Sequence, residues 1–182
     1  MSRVLIPDAG PLLSLASGDI LQILKNFALT VTDVVKEETF DKGLAAQCSV
    51  EAQRLLAFYN EHATHIQIVP TQVGYLLRQQ YKNDPGYAPP RNMGELSIQS
   101  YLIDLQVLGA KSPPIVLFED KWFLRNAESL AKPCVLMSTQ ALLDLAQEMR
   151  LIRSADAARE AISSGRPNAN AIFHHQTLAQ GR

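Results

Sequence analysis

The 182-residue sequence lacks most features that would assign it quickly to a functional class. Its only two cysteines, Cys48 and Cys134, lie far apart and show neither CxxC nor His-paired spacing, which disfavours both a zinc site and a disulfide. No apolar run is long enough to span a bilayer, and the first residues do not resemble a signal peptide. We therefore expect a cytoplasmic protein with no membrane partner.

The sequence also lacks a strong charge of either sign. It has 17 Lys and Arg against 18 Asp and Glu, for a formal net charge of −1. Without a global basic field, a sequence-independent DNA binder is disfavoured, although a nuclease with locally placed basic residues stays open. Because there is no P-loop, Gly-x-Gly-x-x-Gly or Gly-x-Ser-x-Gly motif, nucleotide-cofactor binding and serine hydrolysis have no motif to support them.

The sequence does contain short apolar runs separated by helical patterns. The runs are residues 3–6, 28–31, 66–69, 115–118 and 134–137. Because most of these runs do not alternate polar with apolar residues, they predict a mostly parallel central sheet of about five strands in a three-layer α/β/α fold. Locally, we expect Asp19 to cap a helix over residues 20–26, and the tail from Gly165 to be loosely held.

Four acidic residues fall near the expected carboxyl edge of this sheet. Asp8 and Asp120 follow the first and fourth runs, Glu38 lies on the helix after the second run, and Glu95 opens the helix that begins near Met93. Ligand sites of open α/β sheets form at this edge. Because a cluster of carboxylates presents only oxygen ligands, it favours Mg²⁺ or Mn²⁺.

Each acid also has a simpler explanation. Asp8 and Asp120 could cap the helices that follow them, and Glu95 in a first turn is favoured by the helix dipole. Glu38 and its neighbour Glu37 could belong to a solvated face. Residue chemistry alone therefore leaves the metal site as one of two interpretations.

Four stretches carry these acids, namely residues 4–16, 31–38, 94–95 and 116–127. Their order resembles that of a PIN domain, the fold of many metal-dependent ribonucleases and of the VapC-like toxins of toxin–antitoxin pairs. The resemblance implies that Asp8, Glu38, Glu95 and Asp120 are the catalytic, metal-binding residues. The spacing from Val35 favours Glu38 over Glu37. Where the family has two aspartates after the fourth strand, this chain has Glu119 and then Asp120.

The resemblance extends to substrate contacts and domain boundaries. Arg125 follows Asp120 by about one helical turn, and Ser138 and Thr139 follow the last run. Arg125 and Ser138 are candidates for substrate binding, and Ser138-Thr139 is expected to supply a hydroxyl near the site. Residues 1–150 would form a PIN-like nuclease domain, and residues 151–182 a C-terminal helix and flexible tail.

The implied activity is that of a Mg²⁺- or Mn²⁺-dependent endoribonuclease that hydrolyses RNA phosphodiesters. If the protein is a toxin, a small antitoxin and a second copy of the chain are its expected partners. The alternative is a non-catalytic PIN-like module for RNA binding or protein interaction, in which the acids only cap helices. A DNA-directed nuclease of the same chemistry is less favoured by the near-neutral charge. Four carboxylates facing one cleft would favour the enzyme.

Overall fold

The computed structural model describes residues 4–110, 112–167 and 178–180. Strands β1 to β6 span Val4–Pro7, Ala28–Thr32, Ile66–Val69, Ile115–Phe118, Cys134–Ser138 and Leu178–Gln180. Helices α1 to α8 span Ala9–Ser17, Asp33–Glu38, Val50–His62, Gln72–Asn83, Met93–Val107, Lys121–Arg125, Thr139–Glu148 and Ala155–Gly165. Turns of 3₁₀ helix span Leu21–Asn26, Phe40–Leu44 and Ala127–Ser129. None of the helices in the described ranges is long and apolar enough to cross a membrane.

The strands form one sheet in the order β3-β2-β1-β4-β5-β6. The first five are parallel to one another, and β6 pairs antiparallel with β5. The predicted α/β class with a mostly parallel sheet of about five strands is confirmed. From β1 the chain first builds outward through β2 and β3, and then crosses to the other side for β4 and β5. The strand order therefore reverses between β1 and β4.

The two central strands are buried because both of their faces are covered. Leu5, Ile6, Val116 and Leu117 have no solvent-exposed surface. One packed group of helices comprises α1, α3, α7 and α8, and another comprises α2, α4 and α5. This double cover explains why these runs are apolar without alternation. Helix starts are set by hydroxyl side chains that accept a backbone N–H three residues later: Thr32, Ser49, Thr71, Ser138 and Ser154.

The prediction that Asp19 caps the next helix is wrong. Asp19 adopts a φ of +56° and ends α1 instead. Its backbone N–H donates to the Ala16 carbonyl oxygen, and the Ile20 N–H donates to the Leu15 carbonyl oxygen. This pattern is a Schellman motif, in which a left-handed residue satisfies the last carbonyls of a helix. The following 3₁₀ helix begins at Leu21 without a side-chain cap.

The C-terminal part of the chain is joined to the rest of the fold. Ala155, Ala158 and Ile162 of α8 belong to the main hydrophobic core. Leu178–Gln180 pairs with β5, so the prediction of a loosely held tail is wrong for these three residues. The remainder of that tail, residues 168–177 and 181–182, lies outside the described residues, and the division of the chain at residue 150 stays a prediction.

Candidate functional site

The candidate site lies at the carboxyl end of the two central strands. Pro7 of β1 pairs with Leu117 of β4. Asp8 is the residue after Pro7, and Glu119 lies two residues after Leu117. The Asp8 backbone N–H donates to the Leu117 carbonyl oxygen at 2.9 Å, so the strand pairing continues up to the acid itself. Parallel α/β sheets bind ligands outside the carboxyl ends of their strands, where the strand order reverses. Both acids therefore occupy the position that this fold favours for a site.

Asp8 is a buried carboxylate that makes no helix-capping hydrogen bond. Its residue is 5% exposed. Burial, followed by the negative charge of Glu95, raises the pKa of Asp8 from 3.8 to about 8, and the N–H of Ala9 offsets part of that shift. The helix-cap explanation therefore fails for Asp8. A carboxyl group desolvated among like charges gains free energy from a nearby cation.

Glu38 and Asp8 approach each other beside Gly94, and Glu95 lines the same cleft. Glu38 ends α2, and Glu95 lies in the first turn of α5. A Cβ atom at Gly94 would stand 2.9 Å from Glu38 Oε2 and 3.4 Å from Asp8 Oδ1. Burial is the main cause that raises the pKa of both glutamates; Glu95 adds to the shift of Glu38, and Asp120 to that of Glu95. Glycine thus permits an approach of carboxylates that any side chain would obstruct.

The choice between Glu37 and Glu38 follows from their surroundings. Glu38 is half-buried and lines the cleft. Glu37 is exposed and accepts a hydrogen bond from Arg78 Nη1 at 2.9 Å. The structure therefore brings Glu38, as the spacing from Val35 favoured, to the other acids.

Asp120 has a structural role as well as a place in the cleft. It is exposed, and its Oδ1 accepts the Trp122 N–H at 2.6 Å, which caps α6. The same side chain lines the cleft. The capping hydrogen bond uses Oδ1, so the second carboxylate oxygen, Oδ2, stays available to a cation.

All four predicted acids line one cavity of about 300 Å³. The cavity is bounded by Asp8, Ala9, Gly10, Glu38, Glu95, Glu119, Asp120 and Arg166. Two of these acids come from strand ends and two from helix ends, and the chain between the first and last spans more than half the sequence. The four acids therefore converge on one cleft.

Sequence reasoning missed the role of Glu119. This carboxylate is buried and accepts two hydroxyl hydrogen bonds: Ser14 Oγ donates to Oε2 at 2.9 Å, and Thr139 Oγ1 donates to Oε1 at 2.6 Å. Burial raises its pKa, while the two hydroxyls and the charge of Arg166 act in the opposite direction. Its position directly after β4, beside Asp120, was the one signal in the sequence that could have found it.

Arg166 is the other residue that was missed. It follows α8 and lines the cleft, where its Nη1 donates to the Gly10 carbonyl at 3.1 Å and to Ser14 Oγ at 2.9 Å. The same nitrogen lies 3.9 Å from Glu119 Oε2. No spacing rule connects it to residues more than 150 positions earlier, so only the fold reveals this contact.

The two predicted substrate contacts lie elsewhere. Arg125 is exposed at the end of α6 and is not among the described residues that line the cleft. Ser138 is buried and accepts the Ala141 N–H, which starts α7. Its neighbour Thr139 supplies the hydroxyl that reaches the cleft acids, through Glu119. Of the two hydroxyl residues named from the sequence, Thr139 and not Ser138 therefore contacts an acid of the cleft.

The donor set suits a hard divalent cation in its chemistry, because it consists of carboxylate oxygens. Within the described ranges, however, no three His, Cys, Asp or Glu side chains are already placed to hold a metal ion. Mutual repulsion of the ionised carboxylates opposes such a placement until a cation neutralises them.

Fold and cleft together define a class: a parallel α/β protein with an acidic cleft at the reversal point of its sheet. Comparison with family models, curated proteins and solved structures found no match to this chain.

Proposed function

We propose that this chain is a Mg²⁺- or Mn²⁺-dependent endoribonuclease of the PIN type. The observation that carries the proposal is the convergence of Asp8, Glu38, Glu95 and Asp120 on one cleft. The raised pKa values of the first three are the expected property of carboxylates that lack a neutralising cation. Perturbed carboxyl groups in a cleft are candidates for function for this reason.

The position of each acid in the cleft indicates its proposed role. A divalent cation, when bound, supplies an activated water and neutralises charge on a phosphodiester under in-line attack. Asp8 and Asp120, fixed at neighbouring strand ends, would hold the cation in the base of the cleft. Glu38 and Glu95 would complete its ligands from the helices. The burial of Asp8 keeps bulk water away and so strengthens its electrostatic attraction for the cation.

The first test is Mn²⁺ binding by calorimetry, with wild type beside Asp8→Asn and Asp120→Asn. We expect saturable binding in wild type that both substitutions abolish, because each removes a charged ligand without changing shape. Single-stranded RNA cleavage in Mg²⁺ should be lost in the same two variants. Glu148→Gln, which neutralises an exposed acid on α7, is the matched control and should bind and cleave as wild type does.

The proposal is wrong if wild type binds no Mn²⁺ while all the variants are folded and equally stable. It is also wrong if Asp8→Asn or Asp120→Asn cleaves RNA as well as wild type does. Thermal melting curves of each variant separate a lost site from a lost fold.

A non-catalytic PIN-like module for RNA binding or protein interaction is the rival proposal. Two observations favour it: Asp120 caps α6, and no three acids in the described part of the chain are ready to hold an ion. RNA binding without metal dependence and without cleavage would support this rival. A toxin role, an antitoxin partner and a homodimer follow from the resemblance alone and are proposed on that basis, and a cytoplasmic location is proposed from the sequence patterns described above.

A further inference from the structure

Arg166 is the only cation among the described residues that line the acidic cleft. An RNA backbone that enters this cleft meets five acidic side chains, and those that are ionised repel a phosphodiester. A cation bound by the acids offsets part of that repulsion. Among the residues that line the cleft, the favourable charge comes from Arg166, while Lys42 acts on Glu38 from outside the lining.

The guanidinium of Arg166 is held in place by one of its nitrogens. Nη1 donates to the Gly10 carbonyl and to Ser14 Oγ, while Ser14 in turn donates to Glu119. The Ser14 hydroxyl therefore accepts a hydrogen bond from Arg166 and donates one to the Glu119 carboxylate. These contacts use both N–H groups of Nη1 and fix the plane of the guanidinium.

The other edge of the guanidinium makes no hydrogen bond to the described residues, although Glu51 on α3 is close enough for the charge of Arg166 to lower its pKa. An arginine carries five N–H donors, and the three on Nε and Nη2 make no hydrogen bond within those residues. The Nε–Nη2 edge is a fork that matches two oxygens of one phosphate. A fork that is oriented by Nη1 and otherwise unoccupied is prepared for an anion.

We infer that Arg166 anchors a phosphate of single-stranded RNA through its Nε–Nη2 edge, beside the acids of the cleft. The inference rests on the proposed function for the identity of the polymer, and it concerns binding of the substrate and not the chemical step. Arg166 replaces Arg125 as the arginine that contacts substrate. The residue that follows the C-terminal helix α8 therefore contributes directly to substrate recognition.

The test is RNA affinity, measured by fluorescence anisotropy of a short labelled single-stranded RNA in MgCl₂. The proteins carry Asp120→Asn so that the probe is not cleaved. Arg166→Ala should raise Kd by about 10- to 100-fold, the usual effect of losing a charge-assisted pair of hydrogen bonds. The slope of log Kd against log salt concentration should fall by about 0.7, the value of one phosphate contact on a single strand. A residue with only a structural role would not change this slope.

Arg166→Lys separates the charge from the fork. Lysine keeps the phosphate charge contact and should retain the salt slope, but its Kd should lie between those of arginine and alanine. Arg153→Ala removes an exposed arginine just before α8 and is the control that should match the parent protein. Mn²⁺ affinity, measured in the otherwise wild-type chain, should be unchanged or tighter in Arg166→Ala, because a neighbouring cation has been removed.

The inference is overturned if Arg166→Ala binds the RNA with the affinity and salt slope of the parent protein, or if the parent binds no RNA. RNA binding that depends on Arg166, in a chain that neither binds Mn²⁺ nor cleaves, would uphold the anchor and reject the nuclease. Metal-dependent cleavage that is unchanged in Arg166→Ala would uphold the nuclease and reject the anchor.

Discussion

Gly94 controls how closely the acids of the cleft approach one another. It lies one residue before Glu95, inside the first turn of α5, where glycine ordinarily weakens a helix by about 0.5–1 kcal/mol relative to alanine. Its φ is not in the left-handed region. The reason for glycine at this position is therefore space for Glu38 and Asp8, and not backbone conformation.

Gly94→Ala should separate stability from function. The added Cβ would stand 2.9 Å from Glu38 Oε2, which must move, while the helix itself gains from alanine. We expect a free energy of unfolding equal to or above that of wild type, together with Mn²⁺ affinity weakened by about tenfold or more, since coordination tolerates only about 0.2 Å of displacement.

Calorimetry and urea titration measure both quantities for this substitution. Gly86→Ala is the control, because its Cβ would meet only Asp84 Oδ1 at 3.4 Å in an exposed loop. Unchanged Mn²⁺ affinity in Gly94→Ala would show that Glu38 is not a ligand.

At the scale of elements, a buried carboxylate joins three parts of the fold. Glu119 at the end of β4 accepts from Ser14 of α1 and from Thr139 of α7. A buried charge is tolerated only when its oxygens are satisfied, so these hydroxyls hold both helices against the central strand. The cleft thus depends on contacts that lie beneath it.

Thr139→Val tests this junction with little change in shape. It removes one donor and leaves a buried carboxylate oxygen unsatisfied, which should lower the free energy of unfolding by about 1–3 kcal/mol. Urea denaturation measures the change, and Thr64→Val, at an exposed position, should stay within about 0.5 kcal/mol of wild type. A Thr139→Val variant as stable as wild type would mean that water replaces the hydroxyl.

Local sequence patterns predict elements well where the chain itself contains the cause. The fourth run predicted β4 to the residue, and Asp120 caps the helix that follows it, as its carboxylate indicates. Asp19 failed because one side chain suits both the end of a helix and the start of the next. Arg166 and Glu119 could not be paired, since their contact depends on how α8 packs against α1 and not on any local pattern.

At the scale of the molecule, the acids of the cleft make stability depend on pH. The folded chain binds a proton at Asp8 with a pKa of about 8, whereas the ordinary value is 3.8. Between these values the folded state holds more protons than the unfolded state, so this group's contribution to stability is greatest below pH 4 and is lost as pH rises toward 8. The raised pKa values of Glu38, Glu95 and Glu119 act in the same direction.

Asp8→Asn should therefore be more stable than wild type at pH 8, in the absence of divalent ions, by an amount on the order of a few kcal/mol. The difference should shrink toward pH 4.5, where the Asp8 carboxyl is neutral in the folded chain. Saturating Mn²⁺ should stabilise wild type at pH 8 and not Asp8→Asn. Thermal melting across this pH range measures all three effects. An equal difference at every pH would show that Asp8 is ionised in the folded chain.

The strand order explains which part of the overall design was open to prediction. Apolar runs without alternation predict a parallel sheet, because any strand covered on both faces has that composition. These runs do not predict the order of the strands in the sheet, since β1 and β4 differ little in composition from β2 and β5. The reversal between β1 and β4, which brings Asp8 beside Glu119, is a property of the assembled sheet.

The central position of β1 and β4 has a consequence for amide hydrogen exchange. Both strands pair on two sides, so their amides exchange only when the molecule unfolds as a whole, while helix ends open more readily by local fluctuations. We therefore expect Asp8 and Asp120 to follow slowly exchanging segments, and Glu38 and Glu95, at helix ends, to lie in segments that exchange faster. We therefore expect adjustment to a ligand at Glu38 and Glu95 more than at Asp8 and Asp120.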